Sequence, residues 1–145
     1  EILIPKYNVR SFVDAMILKD GALYDIKTCN DFKWQSIFGR YGSKQAPQNY
    51  AIQLGTYGLY YRENNIKINK MALLFYNKNN SRVKEIKVPR TYIDMAERYW
   101  LKVQELFKEG LPPIEKGLAP VEDWECNKKY CSYFDACGGG IKGIH

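Results

Sequence analysis

The feature that most narrows the possible folds is a pair of strand-like runs divided by Asp20-Gly21. Residues 9–19 are rich in Val, Ile and Phe, and residues 22–28 continue in the same manner. An Asp-Gly pair between such runs signals a tight hairpin turn with both turn residues at positive φ. That turn sets Lys19 opposite Ala22 and, counting outward, Asp14 opposite Lys27, with Asp25 diagonal to Asp14. Side chains alternate along a strand, so Asp14, Asp25 and Lys27 share one face. Opposed residues lie about 5 Å apart at Cβ and diagonal ones about 7 Å, a spacing at which two carboxylates can hold one hard cation. Phe12, Met16, Leu18 and Leu23 are expected on the face of the acids, and Val13, Ala15 and Ile17 on the other. Charges in so apolar a setting need pairing or a metal.

Such a constellation suits phosphodiester hydrolysis. A carboxylate-held Mg²⁺ or Mn²⁺ lowers the pKa of its water and acts as a Lewis acid, and a lysine beside it stabilises developing negative charge. An acid two residues before a lysine is common by chance, and Asp31-Phe32-Lys33 and Glu85-Ile86-Lys87 repeat the spacing. Only the copy at Asp25 has an Asp in register on a neighbouring strand. The alternative is a structural salt bridge between Asp14 and Lys27.

Beyond the hairpin, residues 30–47 read as a loop punctuated by Gly39, Gly42 and Pro47. Residues 48–63 turn helical, with apolar positions at 52, 54, 57, 59, 60 and 61. Gly55 and Gly58 weaken that helix and are expected to let it pack closely on a sheet. A second hairpin follows, with strands at 70–78 and 82–88 around Asn79-Asn80-Ser81. Residues 91–109 form the best amphipathic helix, with Ile93, Ala96, Trp100, Val103 and Phe107 near one face. Gly110 and Pro112-Pro113 end it. The expected fold class is α/β (α+β), a central mixed sheet flanked by helices. The core is expected to span residues 1–113, and a cysteine-bearing segment, 114–145, to pack on the same domain.

Gln53 and Tyr57 stand four apart on the first of these helices and are neighbours on one face. The order Asp14, Asp25-Ile26-Lys27, Gln53-x-x-x-Tyr57 resembles the RecB-like branch of the PD-(D/E)XK nuclease superfamily, over roughly residues 9 to 137. The resemblance implies a restriction-endonuclease-like core and a metal-dependent DNA exonuclease acting in recombination, repair, phage or CRISPR DNA processing. It implies Asp14, Asp25 and the Ile26 carbonyl as metal ligands, Lys27 as catalytic lysine, and Gln53 and Tyr57 orienting the site and touching the DNA. The family also carries an upstream helix with a Glu or His near the metal. The chain opens at Glu1 without a Met, which reads as a fragment or trimmed product lacking that helix. A non-catalytic DNA-binding module with an incomplete site is the competing expectation, and a zinc-bearing structural domain a third.

Cys126, Cys131 and Cys137 follow the last helix. Three close cysteines without a near fourth argue against a zinc finger, and an intracellular nuclease core argues against disulfides. The resemblance implies a [4Fe–4S] cluster held by these three and one early Cys. That early ligand is expected upstream of the chain rather than at Cys29, which alternation puts on the face of Asp25. A zinc site completed by His145 is the alternative.

The formal net charge is +6 and the pI about 9.1, compatible with a polyanionic partner though equally with a solvated basic surface. Trp34, Arg40, Tyr41 and Lys44, with Tyr57, Tyr60 and Tyr61, combine aromatic and cationic groups suited to single-stranded DNA. Of these the 34–44 loop, with Trp34, Arg40 and Lys44, is expected to face DNA. No apolar run reaches membrane-spanning length and no secretory leader is recognisable, so a cytoplasmic location is expected.

Overall fold

The structure, a computed structural model, describes residues 1–109, 128–130 and 132. Residues Glu1–Arg98 form one compact unit, and a second begins at Tyr99, inside the last helix. The expected boundary at 113/114 lies outside the described residues, as do Cys126, Cys131, Cys137 and His145.

The first unit is mixed α and β. A small antiparallel ribbon pairs β1 (Ile2–Ile4) with β2 (Val9–Ser11) across a 3-10 turn at Pro5–Tyr7. A second sheet has the order β3 (Ala15–Ile17), β4 (Ala22–Cys29), β5 (Lys70–Asn77), β6 (Val83–Lys87). β4 and β5 run parallel, and the outer pairs are antiparallel. The parallel pair requires a crossover, which α1 (Asp31–Phe38) and α2 (Gln48–Glu63) supply. α3 (Thr91–Glu109) follows the sheet.

Residues 9–19 do not form one strand. Val9–Ser11 pairs with β1, residues 12–14 belong to no strand, and Ala15–Ile17 joins the larger sheet. The turn is longer than the Asp-Gly pair suggested: it takes residues 18–21, with Ile17 opposite Ala22 and Ala15 opposite Tyr24. Gly21 alone in it has positive φ, at 60°. Its carbonyl accepts from the Asn69 and Lys70 amides, and a Cβ at Gly21 would lie 2.6 Å from the Lys67 carbonyl. The close approach of the β5 lead-in, as well as the turn, fixes glycine here. The register thus moves by two residues. Because sheet faces alternate with period two, the side chains of Ala15–Ile17 and Ala22–Cys29 keep their expected faces, and only the partners change. Phe12 and Leu18, expected among the acids in an apolar setting, are exposed.

The 30–47 segment also departs from expectation, since α1 lies within it. Asn30 caps α1 by accepting from the Lys33 amide at 2.9 Å, and Asp31 opens its first turn, both favourable at a helix N-terminus. Lys44 closes the other end, donating to the Phe38 carbonyl at 2.8 Å and to that of Gly39. Asn77, fully buried at the end of β5, donates to Asp31 at 2.7 Å and ties α1 to the sheet.

One face of the sheet is dry. Leu23, Met71, Leu73 and Phe75 are buried on it, together with Leu54 and Leu59 of α2. The other face exposes Ile26, Tyr76 and Val83. Gly55 and Gly58 serve a second neighbour besides the sheet, whose Met71 Sδ would lie 3.4 Å from a Cβ at Gly58. A Cβ at Gly55 would strike the Tyr92 carbonyl, and one at Gly58 would lie 2.8 Å from Ile93 Cγ1. These glycines admit the start of α3, with Ile93 and Ala96 buried against them. Along α3 the expected apolar face is only partly covered, since Phe107 is exposed.

Candidate active site

Asp25 and Lys27 point from β4 to the dry face because they share parity with the buried Leu23. α2 crosses the same strands, so its Gln53 and Tyr57, one turn apart, look down on them. The outcome is one connected set of polar groups. Lys27 Nζ donates to Gln53 Oε1 at 2.8 Å, and Gln53 Nε2 donates to the Tyr57 hydroxyl at 2.6 Å. The amide orientation is dictated by its neighbours: the oxygen must meet the ammonium, which has only donors.

Asp25 is 1% exposed. Its Oδ2 is ion-paired with Lys27 Nζ at 2.9 Å and has no further polar partner. Burial pushes the Asp25 carboxyl above the ordinary carboxylate range. Lys27 and a hydrogen bond from Tyr57 oppose that, while the charge of Asp14 adds to it. Burial likewise raises the Tyr57 phenol, with the Ser11 hydroxyl beside it pulling the other way.

Asp14 stands just before β3, where the register continues toward Asp25. Its Oδ2 accepts from the Ile26 amide at 2.7 Å. In an antiparallel pair the N–H and C=O of one residue point to the same neighbour, so the Ile26 carbonyl faces the flank where Asp14 lies. Asp14, Asp25 and the Ile26 carbonyl form an oxygen-only donor set of the kind that suits Mg²⁺ or Mn²⁺. Such a cation would share the buried Asp25 oxygen with the Lys27 ammonium. Among the described residues, no three His, Cys, Asp or Glu side chains gather as a metal-holding group.

Two further side chains join the set without a clear sequence signal. Ser11 arrives on β2, whose pairing with β1 no motif announces. The Tyr50 ring lies with its centroid 4.7 Å from Lys27 Nζ. It precedes Gln53 by three residues, so the helical period would have found it once Gln53 was singled out.

The expected DNA-facing residues divide. Trp34 is 4% exposed, its ring packed on Phe38 at 4.6 Å between centroids, so it belongs to the core. Lys44 caps α1. Arg40 is exposed, its guanidinium 5.5 Å from the Tyr41 ring centroid. Cys29 is a buried free thiol at the end of β4. Among the described residues, no helix is long and apolar enough to cross a membrane. No family model, curated protein or solved structure matches the chain.

Proposed function

We propose that the chain carries the metal-dependent active site of a DNA exonuclease with a restriction-endonuclease-like core, of the RecB-like PD-(D/E)XK kind. The observation that carries this reading is the continuous set from Asp25 through Lys27 and Gln53 to Tyr57, with Asp14 fixed beside it on the Ile26 amide. A structural salt bridge accounts for Asp25 and Lys27 alone. It gives no reason for an amide aligned between the Lys27 ammonium and the Tyr57 phenol.

Asp14, Asp25 and the Ile26 carbonyl would hold a Mg²⁺ or Mn²⁺ ion, which supplies an acidified water and neutralises phosphoryl charge. Lys27 brings a positive charge to the negative charge developing on the phosphate. Gln53 holds that ammonium, and Tyr57 holds Gln53 and shields Asp25. Arg40 and Tyr41, exposed on the loop after α1, would supply a cation and an aromatic ring to a single strand. Cys126, Cys131 and Cys137 belong to the same reading as ligands of a [4Fe–4S] cluster, with zinc as the alternative occupant.

The test is degradation of end-labelled single- and double-stranded DNA with Mg²⁺ or Mn²⁺. Cleavage that Asp25→Ala or Lys27→Ala abolishes supports the reading, and variants that cut as fast as wild type overturn it. A second reading rests on the number of acids, since among the described residues only Asp14 and Asp25 contribute carboxylates to the site. A DNA-binding module with an incomplete site would keep DNA affinity and show no cleavage in any divalent metal.

A further inference from the structure

Among the described residues, two oxygens and one aromatic ring stand around the Lys27 ammonium. Asp25 Oδ2 approaches to 2.9 Å and Gln53 Oε1 to 2.8 Å, and the Tyr50 ring closes a third direction at 4.7 Å. A lysine stem is flexible and ends in a point charge, so nothing in Lys27 itself decides where that charge rests. The Tyr50 ring is not free to wander either. It packs on Phe75, 6.3 Å between centroids, and Phe75 is the buried register partner of Lys27 on β5.

We infer that Tyr50 is a positioning residue of the site, holding the Lys27 ammonium against its ring face. An aromatic face attracts a cation through its quadrupole but offers no lone pair of the carboxylate kind. It can fix the charge while leaving an ammonium N–H for a substrate oxygen. A third carboxylate in the same place would compete with the phosphate for that proton. The role of the held ammonium rests on the nuclease reading above, whereas the contact between ring and ammonium does not.

The experiment therefore has two readouts. In metal-free protein, NMR of the Lys27 ε-methylene protons should show an upfield ring-current shift relative to a lysine in an unstructured peptide. Tyr50→Phe should keep this shift and a cleavage rate within about twofold of wild type, because the quadrupole survives. Pentafluorophenylalanine at position 50 keeps the shape and reverses the quadrupole. It should lose the shift and lower kcat about five- to thirtyfold, with KM on an oligonucleotide unchanged. Tyr50→Leu should give the same losses if the fluorinated ring does not pack. A fluorinated or Leu variant that matches Tyr50→Phe in shift and kcat overturns the inference. If wild-type protein cuts nothing, the nuclease reading fails, and the shift alone decides whether the ring holds Lys27: present supports it, absent overturns it.

Discussion

Gln53 Oε1 accepts from Lys27 Nζ at 2.8 Å, joining the middle of α2 to the middle of β4. The same amide donates to Tyr57 at 2.6 Å, so Gln53 has no rotamer freedom that keeps both bonds. Gln53→Ala releases Lys27 on one side and Tyr57 on the other. We expect kcat to fall on the order of 10- to 100-fold, because a misplaced charge stabilises the transition state poorly. KM should change little. Single-turnover rates on a short labelled strand measure this directly, and an unchanged rate would remove Gln53 from the machinery.

What the sequence made legible follows from which constraints are local. The helices at Gln48–Glu63 and Thr91–Glu109 are where periodicity puts them. Asp25, Lys27, Gln53 and Tyr57 meet because strand parity and helical period are local properties. The turn at residues 18–21 was misjudged by two residues because its form is set by Asn69 and Lys70, some fifty residues away. Parity survived that slip, and with it the site. α1 was overlooked because its apolar stripe is short, Trp34 and Ile37 alone being buried, although the Asn30-Asp31 start was readable. The ribbon that brings Ser11 to Tyr57 depends on pairing with β1, which no periodicity marks.

Asp25→Asn should destroy the protein's response to metal while changing its metal-free stability little. The Asp25 charge is buried, its Oδ2 has no polar partner besides Lys27, and burial raises its pKa above the ordinary range. A carboxyl with a raised folded pKa subtracts stability at neutral pH and returns it as pH falls through that pKa. The amide removes that cost but also leaves the Lys27 ammonium without its ion-pair partner, so we expect stability in EDTA to stay within about 1 kcal/mol of wild type. Wild-type protein should gain about 2.7 kcal/mol at a Mn²⁺ concentration 100 times its Kd, through ordinary linkage. The variant should gain none. Urea melts with EDTA and with Mn²⁺ provide both comparisons, and a metal response that survives the substitution would remove Asp25 from the ligand set.

Gly21→Ala should cost about 1–3 kcal/mol. Its φ of 60° disfavours any side chain, and the added Cβ would meet the Lys67 carbonyl at 2.6 Å. Relief requires moving the lead-in to β5 away from the β3–β4 turn. Thermal melting reads the loss. A neutral substitution would mean that the turn and the start of β5 do not touch as described.

The ribbon that carries Ser11 is pinned at its turn by Glu97 of α3. Tyr7 donates to Glu97 Oε1 at 2.5 Å, Lys6 approaches the same oxygen to 3.4 Å, and Arg62 of α2 donates to Oε2. These bonds, that from Tyr7 first, hold the Glu97 carboxyl at about 2, below its ordinary 4.5. A depressed carboxylate contributes stability that is present above the unfolded pKa and lost as pH falls through the folded one. Its contribution is therefore complete above pH 4.5 and gone near pH 2. Both oxygens face donors, so an amide NH₂ at this position must confront one of them. Glu97→Gln should lower stability at pH 7 by about 1–2 kcal/mol. That is less than the full shift implies, because the carboxylate is 26% exposed and screened by solvent. The gap between variant and wild type should shrink between pH 4.5 and 2, as the wild type loses what the variant never had. Amide exchange should show the loss first in residues 2–11, because they depend on the pin while β4 and β5 do not. A gap that stays constant down to pH 2 would mean that the ribbon is held by its apolar contacts alone.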